Sequence, residues 1–253
     1  MTGGENILVA EKLSKSFGGF KAVSDVDLKV RRHTIHALIG PNGAGKTTCF
    51  NLMTKFMQPT SGRILLNGED ITRTKPSAVT RMGMVRSFQI SSVFPGMTVL
   101  ENLRVALQRK LGISYHFWRS RSALDSVNER ANELIAEVGL EAFKHRPASE
   151  LSYGGKRTLE LATTIALDPE ILLLDEPMAG MASGDIHKMV DLIRRVSQGR
   201  TVLMVEHNLN VVADLSDTIT VLQLGQVLAE GSYREVSQNP EVITAYMGDE
   251  DDE

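Results

Sequence analysis

The sequence ALIGPNGAGKTTCFNLM, residues 37–53, runs from an apolar segment through a loop with three glycines to one lysine and two threonines. The apolar residues 35–39, interrupted by His36, predict a short strand before the loop. Residues 46–56 predict a helix after it, because three large apolar side chains recur at helical spacing. The loop itself matches the pattern G-x-x-x-x-G-K-[ST] without a gap, through Gly40, Gly45, Lys46 and Thr47. A strand before the loop and a helix after it form the context that this pattern requires.

The residue types in this loop suit a polyphosphate. Glycines let successive backbone N–H groups face one point, and the helix start adds its positive end. We expect Lys46 to reach the β- and γ-phosphates and the Thr47 hydroxyl to bind Mg²⁺. A loop that only turns the chain is the alternative, but a buried Lys46 without an anion would be costly. The predicted binding segment comprises Gly40, Pro41, Asn42, Gly43, Ala44, Gly45, Lys46, Thr47 and Thr48.

Composition narrows the class of protein. At 253 residues the chain is one large domain, or one domain with a subdomain. The formal net charge is −3, and the acidic residues 249–253 contribute −5, so the rest carries +2 and has no basic block of the nucleic-acid type. Cys49 is the single cysteine, which excludes a disulfide framework within the chain. No signal peptide and no run of 18 apolar residues is evident, so we expect a soluble cytoplasmic chain.

Apolar patterning predicts an α/β fold. Strands are predicted at 7–10, 26–30, 62–66, 171–174 and 201–207, with a turn at Asn67-Gly68 and a hairpin near Gly225. Helices are predicted at 125–140, with a capping box formed by Ser126 and Glu129, and at 155–167 and 185–196. Buried strands that alternate with helices indicate a mostly parallel sheet. The helical segment 81–154 is predicted to be an insert in that core.

Two acidic residues follow the buried strand ILLLD. Ligands of open α/β sheets gather at the carboxyl ends of the strands. Asp175 is therefore placed to meet Mg²⁺, directly or through water, and Glu176 to polarise the water that attacks the γ-phosphate. By itself the pair fits two solvated loop acids equally well, and the presence of Lys46 favours the catalytic interpretation.

A second glycine turn, LSYGGKR at residues 151–157, precedes a predicted helix. Ser152 is a good N-cap, and Gly154 and Gly155 leave the backbone open to approach by an anion. A plain helix cap is one interpretation, and contact with the nucleotide of a second copy is the other. Gln89 and His207, taken alone, fit a loop amide and a histidine at a strand end.

The order and spacing of these motifs resemble the ATP-binding cassette (ABC) ATPases over residues 6–247. The resemblance implies a P-loop NTPase ABC-type nucleotide-binding domain with an inserted helical subdomain and an antiparallel β part. The catalytic core would comprise about 6–80 and 155–247, and the helical subdomain about 81–154. Residues 248–253 would form an acidic tail.

The resemblance also implies roles for single residues. Phe17 resembles the aromatic residue that stacks on adenine, and Gln89 the residue that senses the γ-phosphate and Mg²⁺. Ser152 and Gly154 resemble the turn that closes on ATP bound to the opposite subunit. Glu176 resembles the catalytic base and His207 the switch histidine. The implied metal-binding residues are Thr47, Gln89 and Asp175.

Three positions depart from the common family pattern. The closing turn is commonly L-S-G-G-Q, whereas Tyr153 and Gly155 occupy its third and fifth positions here. An aspartate that helps to couple the two sites is often found where this chain has Ala182. Within the family, MVRSFQISSVFPGMTVLENL, DEPMAGM and VITAYMG are similar to the ATPases of branched-chain amino acid (Liv-type) importers, whose wider group takes up other small polar or acidic solutes.

Such ATPases work with partners. The resemblance implies transmembrane permease subunits, a second ATPase subunit (the same chain or a homologue) and, indirectly, a periplasmic substrate-binding protein. It places the chain at the cytoplasmic face of the inner membrane, as a peripheral subunit that binds ATP and Mg²⁺ and no nucleic acid.

Three other functions compete with that of a transport ATPase. A soluble scaffold ATPase of iron–sulfur cluster assembly would share the fold. A DNA-repair ATPase would carry a long coiled coil, and too few residues separate Lys46 from Asp175 for one. A regulatory module without hydrolysis would not need Glu176 and His207.

Overall fold

The computed structural model describes residues 5–87, 93–110 and 121–247, with the backbone alone at 109–110, 121–124 and 247. The strands are β1 (Asn6–Phe17), β2 (Phe20–Arg31), β3 (Ile35–Ile39), β4 (Ser61–Leu66), β5 (Glu69–Asp70), β6 (Met84–Arg86), β7 (Ile171–Asp175), β8 (Thr201–Val205), β9 (Thr218–Gln223) and β10 (Gln226–Gly231). The helices are α1 (Lys46–Met53), α2 (Pro76–Arg81), α3 (Val99–Lys110), α4 (Arg121–Val138), α5 (Tyr153–Ile165), α6 (Ser183–Val196), α7 (Leu209–Leu215), α8 (Tyr233–Ser237) and α9 (Pro240–Met247). Across the described residues, every helix is too short or too polar to cross a bilayer.

The chain divides into two compact units. The first contains the residues up to Met84, Glu170–Pro177 and the residues from Ser197 onward. The second contains Val85–Pro169 and Met178–Val196. The second unit thus draws on more of the chain than the segment 81–154 named from the sequence, and the division into functional domains stays a prediction.

An antiparallel sheet with strand order β2-β1-β4-β5 lies in the first unit. Its first two strands are longer than the predicted 7–10 and 26–30, because polar residues extend the ladder on both sides of the apolar positions. The predicted turn between β4 and β5 is confirmed: Asn67 and Gly68 both have positive φ angles, as a tight hairpin requires.

The larger sheet has the order β10-β9-β3-β8-β7-β6. β3 runs parallel to β8 and β9, β7 runs parallel to β8, and β10 closes one edge as an antiparallel hairpin with β9. Every residue of β3, β7 and β8 is buried, which is typical of strands covered on both faces. The predicted α/β class, the parallel strands and the hairpin near Gly225 are confirmed.

Helix α1 packs in the core of the first unit, where it fixes the end of the glycine loop. Phe50 and Met53 are fully buried among residues of both sheets. The helix ends earlier than predicted, and Phe56 is 54% exposed instead of sharing the buried side. The physical reason lies in the next turn, because Lys55 adopts a left-handed φ of 65° that stops the helix.

The second unit is mainly helical and contains α3, α4, α5 and α6. The apolar positions predicted to face the core of α4 are all buried, namely Val127, Ala131, Leu134, Ile135 and Val138. The predicted capping box of Ser126 and Glu129 is wrong, because α4 begins at Arg121 and Ser126 lies inside the helix. α5 begins at Tyr153, earlier than predicted, with Ser152 as its N-cap.

Candidate functional site

Strand register brings three chain segments to one edge of the large sheet. Val205 of β8 pairs with Leu38 of β3 on one side and with Asp175 of β7 on the other. The backbone N–H of Glu176 donates a hydrogen bond to the Val205 carbonyl oxygen at 3.0 Å. The carboxyl ends of these parallel strands therefore lie level with one another, where α/β sheets bind their ligands.

Close packing against neighbouring backbone explains why two positions of the loop are glycine. Gly45 precedes α1 with a left-handed φ of 93°. A Cβ atom there would lie 2.5 Å from the carbonyl oxygen of Ala22, and one at Gly40 would lie 2.1 Å from that of Leu222. No other residue type fits either position without moving the backbone of a neighbouring segment.

The turn between β9 and β10 supports the same loop. Gly225 donates its N–H to the carbonyl oxygen of Ala44 at 3.0 Å, and its own carbonyl accepts from the N–H of Ser24 at 2.8 Å. This support was not anticipated from the sequence, which gives no signal that a hairpin near its end contacts residues 22–45. The turn thus links the loop, through Ala44, to Ser24 of β2.

The ammonium group of Lys46 lies against its own loop. It donates to the carbonyl oxygens of Gly40 at 2.6 Å and Pro41 at 2.8 Å. Thr47 is exposed at the start of α1, and Thr48 is half-buried. The loop thus presents a cation, a hydroxyl group and a helix N-terminus at one place, a combination that suits phosphate groups and a hard divalent cation.

Asp175 and Glu176 lie where predicted, at the end of β7. Asp175 is 6% exposed, and Glu176 is half-buried. Glu176 has a left-handed φ of 44°, which is uncommon for a residue other than glycine, asparagine or aspartate. A strained backbone of this kind recurs at functional sites and costs about 1–3 kcal/mol.

His207 follows β8, and its side chain is 63% exposed. The preceding residue, Glu206, is fully buried and was not singled out from the sequence. The Oε2 atom of Glu206 accepts hydrogen bonds from the backbone N–H groups of His207 at 2.9 Å and Asn208 at 3.1 Å. Glu206 therefore holds the turn that carries the histidine. The sequence could have pointed to Glu206, because it is a charged residue between an apolar strand and that histidine.

Phe17 and Gln89 are the other residues predicted for the nucleotide site. Phe17 is the last residue of β1, pairs with Phe20 of β2 and is 45% exposed. The ammonium group of Lys15 lies 5.2 Å from the centre of the Phe17 ring. Its ring is accessible for stacking. Gln89 lies outside the described residues, so its predicted role stays a prediction.

The second glycine turn belongs to the second unit. Ser152 caps α5, with its Oγ atom accepting from the Gly155 N–H at 3.1 Å, as the sequence predicted. A Cβ atom on Gly154 would lie 2.9 Å from a carboxylate oxygen of Asp185. Closure on a nucleotide of another subunit stays a prediction for both Ser152 and Gly154.

Comparison with known proteins identifies the class. A family model described as "ABC transporter" matches residues 23–179, and one described as "Branched-chain amino acid ATP-binding cassette transporter" matches residues 226–252. A crystal structure of the ADP conformation of an ATP-binding cassette of an ABC transporter is 31% identical, with a TM-score of 0.83, and covers 96% of this chain and 99% of that one. The chain belongs to the ABC transporter ATP-binding family and has the P-loop ABC ATPase fold.

Two relatives narrow the comparison further. The high-affinity branched-chain amino acid transport ATP-binding protein LivG of Salmonella typhimurium is 40% identical over 96% of this chain and 98% of its own length. The high-affinity branched-chain amino acid transport ATP-binding protein BraF of Pseudomonas aeruginosa is 40% identical over 96% of this chain and 98% of its own length. The family is that of nucleotide-binding transport ATPases, and the scaffold-ATPase alternative is not favoured.

Proposed function

We propose that this chain binds ATP at residues 40–48 and hydrolyses it to drive solute uptake through a separate membrane permease. The observation that carries the proposal is the register of β3, β8 and β7, which brings the glycine loop, Glu176 and His207 to one edge of the sheet. Lys46 and the N–H groups at the start of α1 would hold the phosphates, and Phe17 would stack on adenine.

Hydrolysis at this site is an in-line displacement. The oxygen of a water molecule forms a bond to the γ-phosphorus while the bond from that phosphorus to the β,γ-bridging oxygen breaks, leaving ADP. Glu176 would accept a proton from the attacking water, and His207 would hold the γ-phosphate. Lys46 would stabilise charge that develops on the phosphate oxygens.

The site also offers oxygen atoms that suit Mg²⁺. The Thr47 hydroxyl and the Asp175 carboxylate are the hard ligands that this ion prefers, and Gln89 is the third residue proposed for it. Among the described residues, no group of three or more His, Cys, Asp or Glu side chains forms a metal cage. The ion would therefore take ligands from phosphate and water, as Mg²⁺ in nucleotide sites does, and neutralise phosphate charge.

The experiment that tests this proposal is Glu176→Gln. The amide cannot accept a proton from water as a carboxylate does, so ATP turnover should fall at least about 100-fold. ATP binding should persist, and the ATP-bound protein should accumulate as a dimer in size-exclusion chromatography. Glu141→Gln, at an exposed site of the second unit, is the matched control and should retain turnover. Unchanged hydrolysis by Glu176→Gln would overturn the assignment of the base.

We infer a branched-chain amino acid or a related small polar or acidic solute as the cargo. The relatives LivG and BraF, which match nearly the whole chain, carry that transport function in their names. The partners would be two permease subunits, a second ATPase subunit and, indirectly, a periplasmic binding protein, with this chain at the cytoplasmic face of the membrane.

Isolation of the tagged chain from detergent-solubilised cells, followed by mass spectrometry, tests these partners. Multi-span permeases and a related ATPase in the isolate would support import. Isolation with soluble partners alone would contradict it.

A further inference from the structure

The hydroxyl group of Tyr153 lies in the middle of a hydrogen-bonded chain of residues within the second unit. Its hydroxyl lies 3.0 Å from the carbonyl oxygen of Ala179. Arg157 donates to the same hydroxyl oxygen from Nε at 3.2 Å and from Nη2 at 2.9 Å. Since a guanidinium group cannot accept a hydrogen bond, the phenolic hydrogen points to Ala179. The direction of every bond in this chain is therefore fixed.

Arg157 is itself held in place. Its Nη1 atom lies 3.0 Å from Oε2 of Glu160, which is 7% exposed, and its guanidinium group lies over the Tyr153 ring at 5.3 Å. A cation that donates to the phenolic oxygen polarises the O–H bond and makes it a better donor. The bond from Tyr153 to Ala179 is thus stronger than an isolated tyrosine would supply.

The segment 178–182 packs closely on the turn that precedes α5. Gly180 has a left-handed φ of 73°, and a Cβ atom there would lie 3.2 Å from the Tyr153 hydroxyl oxygen. Gly154 makes a similarly close approach to Asp185 at the start of α6. The turn therefore meets the segment at Gly180 and the start of α6 at Asp185, and Tyr153 supplies the directional bond to the segment.

We propose that Tyr153 is a positioning residue, which locks the segment 178–182 to the turn 151–155 so that both meet a partner subunit as one piece. This inference rests on the proposed function. Ala182 has no polar side chain with which to contact a partner. A contact of this position with a partner would use its backbone or its methyl group, whose location depends on the segment that Tyr153 holds.

Tyr153→Phe tests the proposal because it removes the hydroxyl group and keeps the ring. We expect the backbone amide of Met181, which donates to the carbonyl oxygen of Met178 at 3.1 Å, to exchange with deuterium about fivefold faster, as loss of one hydrogen bond predicts. Tyr233→Phe is the matched control: Tyr233 is 39% exposed, against 49% for Tyr153, and its hydroxyl has no hydrogen bond among the described residues. Unchanged exchange at Met181 in Tyr153→Phe would overturn the proposal.

A second readout separates positioning from general damage. In the full chain isolated with its co-purifying subunits, Tyr153→Phe should lower kcat for ATP about fivefold, whereas the affinity and stoichiometry of ADP binding stay the same. A loss of folded protein would instead lower the ADP stoichiometry. Arg157→Lys, which keeps a positive charge near Glu160, should give a smaller loss of kcat. Equal kcat in Tyr153→Phe and the unmodified chain would contradict the coupling role.

The two proposals fail in different ways. If the unmodified chain neither binds nor hydrolyses ATP, the proposed function is wrong, although hydrogen exchange can still report the Tyr153 contact. If the unmodified chain turns over ATP and Tyr153→Phe matches it in both exchange and kcat, the positioning role alone is wrong.

Discussion

The ammonium group of Lys46 lies 2.6 Å from the carbonyl oxygen of Gly40, so a backbone dipole of the loop stabilises its positive charge. Lys46→Ala removes that cation from the phosphate site. We expect the affinity for ATP to fall at least about 100-fold, because a charge-assisted contact to phosphate is lost and the remaining N–H groups carry no full charge. Isothermal titration calorimetry measures the change.

Lys29→Ala is the control for that experiment. Lys29 is exposed on β2, and its removal changes net charge by the same amount. Its ATP affinity should match that of the unmodified chain. Undiminished binding by Lys46→Ala would show that the loop does not hold the phosphates.

Glu206 should contribute to stability through the turn that carries His207. Glu206→Ala leaves the backbone N–H groups of His207 and Asn208 without their carboxylate acceptor. The free energy of unfolding should fall by about 1.5–3 kcal/mol, the contribution of hydrogen bonds to a charged group, and urea denaturation measures it. Glu206→Gln retains an acceptor oxygen and should lose less.

Glu241→Ala serves as the control, since Glu241 is exposed on α9 and its loss should change stability by less than about 0.5 kcal/mol. An equal effect of Glu206→Ala and Glu241→Ala would mean that the buried carboxylate does not hold the turn.

Local sequence pattern was enough to predict the elements that surround the loop. The strand at 35–39 and the buried strands β7 and β8 were predicted because continuous apolar runs bounded by polar residues leave few alternatives. The glycine pattern placed Lys46 at the helix start for the same reason. These features depend on residues close together in the sequence, so the sequence alone predicts them.

Other features depend on tertiary contacts that no local pattern records. The end of α1 follows from the left-handed Lys55, and the support of Ala44 comes from Gly225, which lies far along the chain. The link from Tyr153 to Ala179 joins a helix start to a loop across 26 positions. The local sequence around Tyr153 does not predict a contact with Ala179, and the local sequence around Ala179 does not predict one with Tyr153.

Cys49 should be inert to alkylation in the folded chain. It is fully buried in α1, and burial raises the pKa of its thiol to about 12, so the reactive thiolate is scarce at neutral pH. We expect iodoacetamide at pH 8 to label it at least about 100-fold more slowly than in urea. Because the chain has one cysteine, intact-mass measurement reports this residue alone. Rapid labelling of the folded chain would contradict the packing of α1.

His36 should make the stability of the first unit depend on pH. The residue is 1% exposed in β3, and its Nε2 lies 2.8 Å from the hydroxyl oxygen of Thr220. Thr220 donates its hydrogen to Glu230 at 2.6 Å, so its oxygen accepts from an Nε2–H of His36. Burial, with a smaller effect from the charge of Arg31, lowers the pKa of His36 from 6.5 to about 4.

The sign of the effect follows from proton linkage. Between about pH 6.5 and pH 4 the unfolded chain binds a proton at His36 that the folded chain does not, so stability falls as the pH falls through this range. At pH 5 the contribution amounts to about 2 kcal/mol relative to neutral pH. His36→Gln, whose amide can still donate to Thr220, should remove that part of the pH dependence.

Urea denaturation at pH 7.5 and pH 5 measures the difference, with His145→Gln as the control because His145 is exposed. The unmodified chain and His145→Gln should lose the same free energy between the two pH values, and His36→Gln should lose about 2 kcal/mol less. If all three lose the same amount, His36 is not held neutral in the folded chain, and the hydrogen-bonded chain from His36 through Thr220 to Glu230 does not set its protonation.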